Sequence, residues 1–177
     1  MKNKENKKYS TKEETKSSLG YSGKVTIKLL HKDKVYKVIK GKNSGYLPLF
    51  EYIALCLSGT MNGQKAPKYI RTFSTLGSIP PILNKPTIGS GIPYSSVEIN
   101  TSSDKEAVAS FTFLIPGSAF NKDSGITDTF AIYSQENYDK LNNPSVIYQF
   151  DNTFFKDVDS DSNIVVVWEM GIKNNEI

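Results

Sequence analysis

Ile164-Val165-Val166-Val167-Trp168-Glu169-Met170-Gly171-Ile172 is a run of β-branched and aromatic residues broken by a single charge, in a chain of 177 residues. Such side chains fit a pleated, half-buried surface, and the run is the clearest strand in the sequence. Working outward, Ser145–Phe150 reads as a strand with Tyr148 and Phe150 on one face, and Thr127–Tyr133 as another. Val97-Glu98-Ile99-Asn100 and Ala107–Ile115 read as neighbours across a turn at Ser102–Glu106, with Pro116 and Gly117 stopping the second. Near the other end, Lys24-Val25-Thr26-Ile27-Lys28-Leu29 alternates polar and apolar at period 2. His31-Lys32-Asp33-Lys34 then turns the chain, Val35-Tyr36-Lys37-Val38-Ile39 returns it, and Gly41-Lys42-Asn43-Ser44-Gly45 closes the unit. Seven or eight short strands separated by turn signals predict a mostly-β fold, an antiparallel β-sandwich or jelly roll.

One helix is expected, near 47–58, from Leu47 to Ser58. Pro48 suits a first helical position and Gly59 a C-terminal cap. Apolar residues occupy nearly every face, which predicts a helix buried as a plug across one end or side of a sheet. Residues 60–95 are punctuated by Pro67, Pro80, Pro81, Pro86 and Pro93 and hold short edge strands such as Lys68–Phe73. Long loops of this kind are frequent binding surfaces.

The chain divides into a charged N-terminal arm, 1–22, and a β-domain, 23–177. The arm holds six lysines against three glutamates, net +3 of the total +4, so the body is nearly neutral. A near-neutral body with Arg71 as its one arginine lacks the footprint of a nucleic-acid binder. The arm is too polar to recover its own ordering entropy and needs a partner surface to order it. Lys7, Lys8, Tyr9, Lys12, Leu19 and Tyr21 are its candidate assembly contacts. No apolar run reaches 18 residues, so no membrane-spanning helix is expected, and no apolar stretch follows the charged start as a secretory signal requires. The expectation is a protein kept inside a cell or released by lysis.

Candidate chemistry is sparse. His31, the one histidine, falls in a turn among lysines, and nothing in the sequence supplies the orienting group and adjoining nucleophile that a catalytic histidine needs, so a solvated turn is the better reading. Cys56, the one cysteine, sits in the apolar helix, as a small core residue does, and excludes an intrachain disulfide. Asp157, Asp159 and Asp161 stand at i, i+2 and i+4, like the start of a calcium loop. The sixth position is Ser162 rather than Gly and the twelfth is Trp168 rather than Glu, so a polar hairpin loop is the better reading. Glu98, Asp104, Glu106, Asp123 and Asp128 are acids that could pair as in a glycosidase only if the fold brings two together. The expectation is a non-enzymatic protein without cofactors. Tyr and Phe residues in β-rich loops leave a carbohydrate-binding module as the alternative.

Three stretches carry a resemblance: Gly23–Leu29; Lys42-Asn43-Ser44-Gly45 leading into Leu49-Phe50-Glu51-Tyr52-Ile53-Ala54 and Gly59; and Ser162–Met170 with its Trp168-Glu169 ending. Together they resemble a family of tailed-bacteriophage virion proteins. In that family an opening hairpin, an Asn-x-Gly turn into a buried helix and a last strand ending in Trp-Glu build a small β-sandwich. The resemblance covers the pattern of 23–177 and is specific in those three stretches. It implies a structural component of the virion (neck or collar, tail, baseplate, fibre anchor or capsid decoration) without catalytic residues. It also implies other virion proteins as partners, a homo-oligomer or symmetric ring, and assembly in a bacterial cytoplasm.

Overall fold

The computed structural model describes residues 17–45, 47–59, 66–74, 85–103, 106–120, 127–134, 146–149 and 158–176. Their order is β1 (Ser17–His31), β2 (Lys34–Lys42), β3 (Ser44–Gly45), α1 (Leu47–Ser58), β4 (Tyr69–Ser74), β5 (Lys85–Pro86), β6 (Ile92–Pro93), β7 (Ser96–Ser103), β8 (Glu106–Pro116), β9 (Thr129–Tyr133), β10 (Val146–Gln149) and β11 (Ser162–Glu176). A short 3-10 turn, Gly117–Ala119, follows β8. Two antiparallel sheets result. Sheet A is ordered β2-β1-β11-β8-β7, and sheet B β3-β10-β9-β4-β5, with β6 also on β4.

Alternation in the strands sorts the side chains. Val25, Ile27 and Leu29 of β1, Phe113 and Ile115 of β8, and Ile164, Val166 and Trp168 of β11 are buried on the inner face of sheet A. The register sets Ile27, Val166 and Phe113 side by side. They meet Ile70 of β4 and Phe130 and Ile132 of β9, which makes a β-sandwich with one core. Burying each such side chain contributes about 1.5–3 kcal/mol. Buried threonine hydroxyls tie sheet B to its loops: Thr127 Oγ1 donates to Thr87 Oγ1 at 2.6 Å, and Thr72 bonds the same oxygen.

The structure corrects the sequence reading at four places. β1 begins at Ser17, and its first residues pair with the end of β11, Ser17 opposite Glu176. Leu19 and Tyr21, expected in the arm, therefore lie in the central ladder of sheet A. Helix α1 has the expected bounds, and Gly59 caps it with φ +69°. It is not buried all round, however. Leu49 is buried and Tyr52 and Ile53 half-buried, while Phe50, Ala54 and Cys56 are exposed. A helix lying against a sheet has one side to bury, whatever its composition. β4, expected at an edge, lies between β9 and β5/β6. Ser44–Gly45 forms not a turn but β3, the first step of the chain into sheet B, paired with β10.

Candidate functional site

Strand alternation that fills the core leaves a second face of sheet A pointing away from sheet B. It presents Lys24, Thr26, Lys28 and Leu30 from β1, Val165, Val167 and Glu169 from β11, and Ser110, Thr112 and Leu114 from β8. Val38 and Lys40 continue it on β2, Ser96 and Glu98 on β7. Large apolar side chains stand open there: Val35 is 55% exposed, Val38 45% and Leu114 50%. Val165 and Val167 are half-buried between them. The signal was present in β11, which is apolar at consecutive positions 164–168, as in a strand with both faces covered. At one end of the face, the Ser22 hydroxyl donates to Glu106 Oε1 at 2.7 Å, and Lys173 Nζ lies 3.6 Å from the same oxygen. The Ser22 hydrogen bond, with Lys173 second, holds the Glu106 carboxyl below the usual range.

A polar corner forms where the β1–β2 hairpin meets the start of β11. His31 Nδ1 lies 3.7 Å from Asp159 Oδ1. That oxygen also accepts the Ser162 hydroxyl at 2.7 Å and the Asp161 amide at 3.1 Å. The Ser162 bond is the main cause holding Asp159 below the ordinary carboxylate range. Leu29, His31, Tyr36, Asp159 and Ser162 line a cavity of ≈240 Å³, and Tyr36 is 63% exposed at its mouth. The structure thus brings to His31 a carboxylate, Asp159, that lies far from it in sequence. The three residue types of a catalytic triad meet here in the wrong order. Ser162 is buried and bonded to the carboxylate rather than to the imidazole, so no activated nucleophile results. The corner can hydrogen-bond a polar ligand and offer Tyr36 as a stacking surface.

A third feature, an apolar cleft of ≈210 Å³, separates α1 from the inner face of sheet A. Its walls include Tyr21, Leu49, Tyr52, Ile53, Phe111 and Met170. The Tyr21 phenol donates to Asn43 Oδ1. Burial pushes the Tyr21 and Tyr52 phenols up, and the neighbouring Cys56 thiol adds to the shift at Tyr52. Neither phenol is poised for acid–base work near neutrality.

Of the remaining sequence candidates, Lys7, Lys8, Tyr9, Lys12, Asp104, Asp123 and Asp157 lie outside the described residues. Cys56 is exposed, contrary to its expected place in the core, because it falls on the solvent side of α1. Among the described residues no group of three His, Cys, Asp or Glu could hold a metal ion. Asp159 and Asp161 share a backbone-bonded turn instead. Asp128 is buried immediately before β9, where it accepts the Thr129 hydroxyl at 2.8 Å. Arg71 is buried in β4 and donates to Gly89 O at 3.4 Å. No helix among the described residues is long and apolar enough to cross a membrane. Comparison with known families, curated proteins and solved structures finds no match to this chain.

Proposed function

We propose that this chain is a non-enzymatic structural component of a tailed-bacteriophage virion, acting through protein–protein assembly. The observation that carries the assembly reading is the outer face of sheet A, with Val35, Val38 and Leu114 each roughly half exposed around Val165 and Val167. Open apolar side chains in one row between lysines and acids suit a surface that another protein covers. The virion setting comes from the resemblance of the three stretches described above. Quantitative mass spectrometry of purified virions from the phage encoding the chain should find it at a fixed, multiple copy number. Its absence from the particle would overturn the virion reading.

The polar corner favours one second reading, a carbohydrate-binding module. An exposed tyrosine beside a carboxylate and an imidazole offers a sugar ring both a stacking plane and hydrogen-bond partners. Glycan-array binding that is lost in Tyr36→Ala would support that reading. An array without hits would leave assembly alone.

A further inference from the structure

We propose that a second copy of this chain docks face to face on the outer surface of sheet A, with the two-fold axis along β11. The inference rests on the assembly reading and names its partner.

The register decides the arrangement. One row across the outer face runs Lys42, Lys24, Glu169, Ser110, Glu98, from β2 to β7. Cations occupy one side and acids the middle and the other. A two-fold axis along β11 reverses the order of strands in the partner while keeping each row level. Lys42 then faces Glu98 of the second copy, and the two Glu169 carboxylates, opposite each other on the axis, are flanked by the two Lys24 ammoniums. The row becomes balanced and alternating. An axis across the strands would keep β2 over β2 and β7 over β7, leaving Lys42 and Glu98 at opposite edges of the interface. Charge complementarity therefore selects the first arrangement. On the same axis Val165 packs on Val165 and Val167 on Val167, while the Lys28 stem lies over Leu114.

Five strands spaced about 4.8 Å apart, over some eight residues of about 3.3 Å each, give roughly 600 Å² per copy. Twice that reaches the lower end of a standard specific interface, about 1,200 Å² in total. Two such sheets at about 10 Å and a modest angle would form an aligned sheet-on-sheet packing.

Lys42 and Glu98 are exposed at opposite edges of their own sheet, about 19 Å apart across four strand spacings. They cannot pair within one chain, which makes them a clean test. Sedimentation equilibrium of the full chain at micromolar concentration should show a dimer that weakens with salt. Lys42→Glu or Glu98→Lys alone should weaken it about tenfold, and the double reversal should restore it to within about threefold. Val165→Lys, which sets two cations against each other at the axis beside the Lys28 of each copy, should leave monomer with an unchanged circular dichroism spectrum. A wild-type chain that is monomeric throughout would overturn the proposal. So would a dimer indifferent to Val165→Lys, which would use another face, or a double reversal without rescue. Should Val165→Lys disturb the fold, the charge-reversal series decides. Presence of the chain in virions is a separate measurement, so a monomer in solution sinks this interface and leaves the assembly reading standing.

Discussion

Asn43 stands where the chain leaves sheet A for sheet B, and its contacts explain how so short a crossing is held. Its Nδ2 donates to Lys24 O at 3.2 Å and Glu169 O at 3.4 Å, and its backbone amide to Gly23 O at 3.3 Å. Its Oδ1 accepts the Tyr21 phenol across Gly23. A Cβ at Gly23 would collide with that Oδ1 and with the Tyr21 hydroxyl, so any larger residue must displace the Tyr21–Asn43 pair. Asn43→Ala should cost about 1–3 kcal/mol by leaving buried partners unsatisfied, read from urea unfolding. Gly23→Ala should be severe alone and milder in the Asn43→Ala background, where the nearest clash is gone. Additive costs would contradict this contact. Glu106 supplies a pH dependence with a definite sign. Its folded-state pKa is lowered, first by the Ser22 hydroxyl. The stabilisation is therefore present above the unfolded glutamate value, about 4.3, and lost as pH falls through the folded one. Carboxyl NMR titration should show Ser22→Ala moving the Glu106 midpoint upward. An unmoved midpoint would mean the hydroxyl does not bond it in solution.

At the scale of elements, the β1–β2 hairpin turns through Lys32 and Asp33, both left-handed at φ 46° and 62°. That is the geometry of a two-residue type I′ turn, which favours Asn-Gly and is strained for lysine. Replacing the pair by Lys32→Asn with Asp33→Gly should stabilise by about 1 kcal/mol. The urea midpoint should rise with unchanged slope, and no rise would argue against this turn. The turn was legible in the sequence because period-2 alternation stops at Leu29 and resumes after Lys34. The same local signals located α1 and the β7–β8 hairpin. What pattern could not supply was which side of an element finds a partner. α1 is apolar nearly all round, so its composition hid that Cys56 faces solvent. The pairing of His31 with Asp159 joins the hairpin turn to the loop before β11, a contact set by sheet order. β4 looked like an edge because its flanks are rich in Pro and Gly, yet β9 and β5/β6 take both its sides.

For the whole molecule, the decisive feature is that β1 and β11 are central neighbours in sheet A, paired from Ser17–Glu176 to His31–Ser162. Truncation at the N-terminus should therefore behave in two steps. All six lysines and three glutamates of the arm lie in residues 1–16, which precede the ladder. Their composition offers no apolar face, so deleting them should leave the melting temperature of the free protein nearly unchanged. Extending the deletion through Ser22 removes the rungs Ser17–Glu176 to Ser22–Gly171. It also removes the Tyr21–Asn43 and Ser22–Glu106 bonds and the edge-to-face contact of Tyr21 with Phe50 at 5.9 Å. A loss of about 2–4 kcal/mol would follow, or roughly 5–10 °C for a chain of this size. Differential scanning calorimetry of the two truncations separates a segment that serves the fold from one that serves assembly. On the proposed virion reading, the shorter deletion should instead reduce incorporation into the particle. Because a lysine at an interface rim contributes about 0–1 kcal/mol, that loss should grow with the number of lysines removed and shrink as ionic strength rises. If deleting residues 1–16 alone unfolded the protein, the arm would belong to the domain's own structure. Its role as a contact to neighbouring chains would then have no physical basis.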